Sequence, residues 1–355
     1  MNWSLVIATY NRPEALRRCV ELAVLQSRPP HEVVIVDAGP YWEAHRRIIL
    51  DEVKPSAPSS IRWRYEHARI LSLTSQRNQA IAIATGDVLF LIDDDSFMYH
   101  TCAEEVMKIY EADVRRLVAG VGPAEVWQPP SPELLDYAGP QYRKYREMRR
   151  TQTSLSQKLR SLMEKELDVE RLLLPYDRDY PDHPVPHELA EAPVARARYL
   201  SGFRMTFRAE IIRAVGFDET LTRYASAEDL DASYRASRHG VLLHAFNAHI
   251  FHAQAAQARL SRRTRTQLGI LNLAYLYRRK GFDPVRLLAA FRRRVIRRLA
   301  VDIIRDLGRK RFWLPCARGD LEALIGLRKI RETSNEKLID WYSALQKQII
   351  ERNAA

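Results

Sequence analysis

Residues 86–96 read GDVLFLIDDDS. A Gly-Asp turn leads into the apolar residues Val88 to Ile92, and the run stops at three carboxylates, Asp93, Asp94 and Asp95. An unbroken apolar run of this length reads as a strand buried on both faces of an α/β sheet. Adjacent like charges repel, and burying one without a partner is costly. A strand that delivers three acids to a sheet edge therefore needs a cation there. Ligands of open α/β sheets bind at the carboxyl ends of the strands. Hard divalent ions are held by one or two carboxylates together with substrate phosphates. The stretch thus predicts a metal–diphosphate site, although taken alone it reads equally well as an acidic turn or helix cap.

The preceding chain supports the first reading. Trp3 to Ala8 is a second apolar run, followed by the polar turn Thr9-Tyr10-Asn11-Arg12-Pro13. Pro13 suits a first helical turn, and Leu16, Val20, Ala23 and Val24 make one stripe of a helix ending near Gln26. Glu32 to Val36 is a further buried strand, ending at Asp37. Residues 41–54 and 72–85 read as helices, 61–66 as a strand, and 100–113 as a helix. Strands alternating with helices predict a mostly parallel sheet covered on both faces. Residues 128–195, rich in proline and charge, read as an insert with a helix over 151–174. Ordered structure resumes at 199, with strands over 203–207, 241–246 and 248–252 and a helix opened by Glu228-Asp229.

Composition narrows the class. The chain has 355 residues, 46% hydrophobic and 28% charged, with a formal net charge of +12. A balance this basic favours an anionic partner: nucleic acid, membrane surface or phosphorylated substrate. Cys19, Cys102 and Cys316 show no disulfide or metal-type spacing, which fits a reducing cytoplasm. The first strand begins so early that no signal peptide is expected, and no apolar run is long enough to span a bilayer. The expected location is cytoplasmic, either free or peripheral on the inner face of the cell membrane.

Beyond 255 the pattern becomes helical, with segments near 263–280, 284–307, 318–331 and 334–352. The second carries the apolar stripe Leu288, Phe291, Val295, Leu299 and Ile303, surrounded by Arg292, Arg293, Arg294, Arg297, Arg298 and Arg305. The stripe is expected to dock, leaving the arginines for an anionic membrane surface. The expected division is a domain over 1–255 and a basic helical region over 256–355.

Three stretches, taken in order, resemble glycosyltransferase family 2, inverting enzymes of the GT-A fold. They are VIATYNRPEALRRCVELAVLQSRPPHEVVIVDAG, SQRNQAIAIATGDVLFLIDDDS and YLSGFRMTFRAEIIRAVGFDETLTRYASAEDLDASYRASRHG. The resemblance covers residues 3–126 and 198–254 and leaves out the insert and the C-terminal helices. It implies a Rossmann-like α/β fold with a C-terminal helical extension. It also implies transfer of a sugar from a nucleotide-diphosphate sugar, a UDP-sugar by default, to a saccharide or lipid-linked acceptor.

Carried over by position, the resemblance places Thr9, Asn11 and Arg12 at the nucleotide and gives Asp37 the base's imide N–H. The chain departs from the family at Ala38 and Pro40, where a second acid and a serine are common. Arg77 falls near the diphosphate. Asp93 and Asp95 match the outer residues of a DxD motif, with Asp93 at the ribose and the metal and Asp95 on the metal. Asp94 joins the donor-binding set, though of the three it is expected to turn away. Gly202 lets backbone approach the sugar or the acceptor. Asp229, paired with Glu228, is the implied general base, and His252 the third ligand to Mn²⁺ or Mg²⁺, with His249 its rival. Two other classes fit parts of the chain. A basic nucleic-acid- or membrane-binding protein fits the charge, but the chain lacks any nucleic-acid recognition motif, so no nucleic-acid partner is expected. A sugar nucleotidyltransferase fits the sheet, but residues 9–13 lack the glycines of a phosphate loop.

Overall fold

The computed structural model describes residues 1–139, 173–223, 225–255 and 260–352. They fall into two compact units. Of the described residues, the first unit takes 1–139, 181–218 and 232–255, and the second takes 173–180, 219–231 and 260–352. The helix expected over 151–174 lies, apart from its last two residues, outside the described residues.

The first unit is built on one sheet. Its strands are β1 (Trp3–Thr9), β2 (Glu32–Asp37), β3 (Arg62–His67), β4 (Val88–Asp93), β5 (Ser96–Met98), β6 (Val118–Glu125), β7 (Val194–Arg196), β8 (Arg204–Arg208) and β9 (Val241–His252). They lie in the order β3-β2-β1-β4-β8-β6-β9-β5, with β7 on β9. β3, β2, β1 and β4 run parallel. β8 is antiparallel to both β4 and β6, whereas β6 and β9 are parallel. Parallel register sets Thr9 beside Asp37 and Ala8 beside Asp93, so the polar strand ends share one edge. Leu5, Ile7, Ile35, Phe90 and Ile92 enter one core, while Val6, Val34, Leu89 and Leu91 enter the other. Burial on both faces is why these strands read as continuous apolar runs.

The helices of this unit follow the sequence with local differences. α1 (Pro13–Val24) buries Leu16, Val20, Ala23 and Val24 as its periodicity predicts. α2 (Trp42–Arg47) is shorter than expected, because residues 48–53 continue as a π-turn. α3 (Leu73–Ile83) buries a polar first turn, Thr74, Ser75, Gln76 and Arg77, before Ala80 and Ile81. α4 (Cys102–Ala112) and α5 (Ala209–Val215) complete the set. β5 is absent from the sequence reading, and β9 is one strand where two were expected. The fully buried Arg208 donates to Asp113 at 2.8 Å, and Asp113 also accepts from the backbone N–H of Val118 at 2.7 Å. A buried ion pair is tolerated when further hydrogen bonds satisfy it in this way.

α6 (Glu228–Ala236) has its first turn among the residues of the second unit. Four more helices follow: α7 (Arg262–Lys280), α8 (Pro284–Gly308), α9 (Pro315–Glu332) and α10 (Asn335–Arg352). Asp283 caps α8, its side chain accepting from the N–H of Arg286. α7 is buried along most of its length, and its Asn272 is satisfied by Tyr342 and by the carbonyl of Ser226. Leu288, Phe291 and Val295 of the α8 stripe are buried as expected, but Ile303 at the stripe's end is exposed. Among the described residues, no helix is long and apolar enough to cross a membrane.

Where the α8 stripe turns outward, its acids turn inward. Asp302 and Asp306 of α8 and Asp320 of α9 have no exposed surface. Arg298 lies 3.3 Å from Asp302 and 3.5 Å from Asp320, and Arg305 lies 2.5 Å from Asp302. Burial, together with the neighbouring Asp302, pushes the Asp320 carboxyl up to about 8. The folded chain thus keeps a proton that the unfolded chain releases near pH 4. The resulting stability is complete below the unfolded value and is lost as pH rises through about 8. Melting followed by circular dichroism should show Tm falling by about 5 °C between pH 6 and pH 9, and Asp320→Asn should flatten that slope. An unchanged slope in Asp320→Asn would assign it to another group.

Candidate functional site

The carboxyl ends of β1 and β4 bring the acidic triplet against the turn after β1. Each acid meets a different partner. Asp94 turns inward, accepting from Thr9 Oγ1 at 2.7 Å and from Arg12 Nη1 at 2.9 Å. Burial pushes its carboxyl up to about 6 against the pull of Arg12, with Asp95 adding to the rise. Asp93 is the accessible member, its side chain 34% exposed. Arg77, itself 3% exposed, donates to Asp93 Oδ1 at 3.0 Å and to the carbonyl of Gly202 at 2.8 Å, with its guanidinium 5.2 Å from the Phe217 ring centroid. The polar buried turn of α3 thus exists to carry Arg77 to the strand end. Its neighbour Gln76 donates to the carbonyls of Thr9 and Val36 and ties β1 to β2.

Asp95 is 1% exposed and accepts from the N–H of Ala255 at 2.8 Å. Sheet register explains its second neighbour. β5 leaves the triplet at once and pairs antiparallel with the end of β9, setting Ser96 opposite His252. His252 Nε2 then lies 3.3 Å from Asp95 Oδ1, and its ring stacks on Phe203 at 4.3 Å and 15°. One ligand atom from each of Asp93, Asp95 and His252 lies within 4.8 Å of the others. Two carboxylates and an imidazole could hold a divalent ion such as Mn²⁺ or Mg²⁺. His249 takes no part in this grouping; its ring meets the edge of Tyr99 at 5.8 Å.

Asp37 occupies the next strand end and is wholly buried. Its Oδ1 accepts from the Gly39 N–H at 2.6 Å, and its Oδ2 accepts from Tyr65 at 2.8 Å with His45 Nδ1 also at 2.8 Å. Burial and the Asp37 charge push the Tyr65 hydroxyl upward, which keeps it a donor. The Asp37 carboxylate thus has three partners within the chain. Gly39 sits close against its neighbours: an added Cβ would fall 2.9 Å from both Asn11 Oδ1 and Asp37 Oδ1, so those side chains would have to shift. Asn11 itself takes a left-handed φ of 53°, a conformation asparagine tolerates better than most residues.

Glu228 and Asp229 open α6, Glu228 buried and Asp229 half-buried. Asp229 Oδ1 accepts from the N–H of Leu230 at 2.9 Å. Within the second unit, buried Asp231 accepts from Tyr176 at 2.9 Å and from Lys280 at 2.6 Å, which fixes that first turn. The first unit therefore gathers Thr9, Arg12, Arg77, Asp93, Asp94, Asp95, Gly202 and His252, while Glu228 and Asp229 belong to the second. Sequence reasoning missed Phe203 under His252, the pair His45 and Tyr65 behind Asp37, and the anchor at Asp231. Only Asp231 carried a signal, as a third acid in an acidic first turn.

Residues 4–165 match the model of the family described as Glycosyl transferase family 2. No curated protein sequence matches the chain. Among solved structures the chain is similar to the mannosyltransferase PcManGT from Pyrobaculum calidifontis, solved with GDP-Man and Mn²⁺. The identity is 13%, with 92% of this chain and 87% of that one covered and a TM-score of 0.50. It is also similar to S. aureus TarS 1-349 with UDP-GlcNAc, at 12% identity, 99% and 93% coverage and a TM-score of 0.49. GalNAc-T7 with UDP, GalNAc and Mn²⁺ is a further match, at 15% identity, 78% and 47% coverage and a TM-score of 0.47. The first of these likenesses speaks to the fold alone, which is the GT-A α/β architecture with C-terminal helices.

Calorimetric titration of the chain with Mn²⁺ should show one site, weakened roughly 10-fold or more in Asp95→Ala and in His252→Ala. Unchanged affinity in both variants would place the ion elsewhere.

Proposed function

We propose that the chain, whose residues 4–165 match the Glycosyl transferase family 2 model, is a member of that family and moves a hexosyl group from a nucleotide-diphosphate sugar to an acceptor hydroxyl with inversion. The observation that carries this reading is the convergence of Asp93, Asp95 and His252 at the carboxyl end of β4. Asp93, Asp95 and His252 would hold a divalent ion, Mn²⁺ by preference, which when bound would supply the positive charge that a departing nucleoside diphosphate requires.

The chain's own residues do the rest. Arg77 fixes Asp93 and the Gly202 backbone in one hydrogen-bonded unit, so the accessible acid and the loop nearest the sugar hold a single geometry. Arg12 and Thr9 occupy Asp94, which leaves Asp93 and Asp95 for the ion. Thr9 and Asn11 line the nucleotide pocket, and Asp37, oriented by Gly39 and His45, accepts from the imide N–H of the base. Asp229, beside Glu228, takes the acceptor's proton as the acceptor oxygen bonds the anomeric carbon and the bond from that carbon to the diphosphate breaks. A base in that role contributes typically ~10²–10⁴ in rate. A single displacement needs the base on the face opposite the leaving group, which is consistent with its coming from a separate stretch of chain.

On this reading residues 1–255 carry the transfer chemistry and 256–355 extend it. The donor is a UDP-sugar by default; the GDP-Man bound by the Pyrobaculum calidifontis enzyme makes a GDP-sugar the alternative to test beside it. The acceptor is a saccharide or lipid-linked glycan in the assembly of a polysaccharide or glycolipid on the cytoplasmic side. A panel of UDP- and GDP-sugars with Mn²⁺ should show one that raises Tm by several degrees, an effect lost in Asp95→Ala. With that donor, Asp229→Asn should keep binding and lose transfer by about 10²-fold or more. A flat panel would remove the donor reading, and full turnover in Asp229→Asn would remove the base.

A further inference from the structure

On the C-terminal half of α8 the usual pattern of a surface helix is inverted. The two acids, Asp302 and Asp306, have no exposed surface, whereas Ile296, Ile304 and Leu307 are 48%, 57% and 49% exposed. With Ile303 and Ala300 these residues form one outward stripe at helical spacing. The turn that follows adds Phe312 and Trp313, exposed at 76% and 77%. Between Pro284 and Arg318 the sequence holds eleven Arg or Lys residues and two acids, the buried pair just named. The outward surface of this segment is therefore apolar and cationic, with no carboxylate on it.

The turn is a built structure. Lys310 and Leu314 both take left-handed φ values, 53° and 45°, which side-chain-bearing residues seldom adopt. Asp306 holds them there. Its carbonyl accepts from the N–H of Arg311 at 2.8 Å, and its Oδ2 accepts from the N–H groups of Cys316 and Ala317 at 2.7 and 3.3 Å, capping α9. The Arg318 guanidinium lies 5.6 Å from the Trp313 ring centroid, a cation beside an outward indole. Strain and a buried carboxylate are thus spent on presenting two aromatic side chains to the outside.

Charge and apolarity together select the occupant. A second copy would set this cationic face against itself, and like charges in contact oppose association. Nucleic acid would pair with the arginines but leave the isoleucines, Phe312 and Trp313 without a use. The interface of an anionic bilayer satisfies both, with aromatic rings at headgroup depth and Lys and Arg on the anionic headgroups. We propose that the α8–α9 turn is an interfacial membrane anchor, in which Phe312, Trp313 and the outward Ile303, Ile304 and Leu307 enter the headgroup layer while Lys310 and Arg318 bind anionic headgroups. The anchor stands on residues of the second unit and does not rest on the transfer reading.

The full chain should co-sediment with phosphatidylcholine vesicles containing phosphatidylglycerol and only weakly with phosphatidylcholine alone. Each of Lys310→Gln and Arg318→Gln should weaken binding roughly fivefold at low salt. Phe312→Ser with Trp313→Ser should weaken it about tenfold or more, with circular dichroism unchanged. Brominated lipid should quench Trp fluorescence in the wild type, and Trp313→Phe should remove most of that quenching while vesicle binding persists. This last readout decides the matter even if the serine double variant is unstable. Equal binding to both vesicle types, binding insensitive to Phe312 and Trp313, or quenching unaffected by Trp313→Phe would overturn the proposal. So would a wild type that ignores vesicles but self-associates through these residues.

Discussion

Three consecutive carboxylates at the end of β4 are tolerable because each meets its own partner. Asp94 has Arg12, Asp93 has Arg77 and Asp95 has His252, at 2.9, 3.0 and 3.3 Å. Without that division, mutual repulsion in a largely buried place would drive the strand end apart or force it to take up protons. The division is also unequal. Arg12 and Thr9 hold Asp94 inside, Arg77 grips one oxygen of a half-exposed Asp93, and the imidazole beside Asp95 is a group that ligates metals as readily as it bonds acids. What the fold brings together is an accessible acid, a buried acid and a histidine, close enough to share one ion.

Topology makes this possible. β5 is three residues long and begins where the triplet ends, and its pairing with β9 carries His252 to the acids across more than 150 positions of sequence. α3 spends its first turn on polar side chains that reach the strand ends instead of filling the core. The C-terminal helices repeat the theme in a different place. There, buried Asp302, Asp306 and Asp320 are paired with Arg298, Arg305 and Arg311, and the same α8 turns Ile304 and Leu307 outward. In both places the chain places carboxylates inside among arginines and leaves chemistry of another kind at the surface.

Much of this was legible before any coordinates. Runs such as LVIAT and VLFLI announce strands buried on both faces, and Pro13 and Asp283-Pro284 mark helix starts that the structure retains. The acids at the ends of β2 and β4 follow from the same pattern, since parallel strands must finish on a common edge. What the sequence could not show was pairing. Nothing local tells Asp94 to choose Arg12 and Asp93 to choose Arg77, because those choices depend on how α3 and the turn after β1 approach the edge. β5 is too short to leave a periodic signal. The contact of Tyr65 with Asp37 depends on β3 lying beside β2, which is a tertiary fact. The α8 stripe was read as wholly docked because apolar periodicity reports amphipathicity without saying where burial stops.

The central claim is that Asp93, Asp95 and His252 form one cation site on which a nucleoside diphosphate rests. Crystals grown with Mn²⁺ and UDP or GDP test it most directly, through anomalous scattering at the manganese edge. The account predicts a single strong anomalous peak touching all three side chains, with diphosphate oxygens completing its coordination. A diphosphate bound with no peak there, or a peak whose ligands include neither Asp95 nor His252, would contradict it.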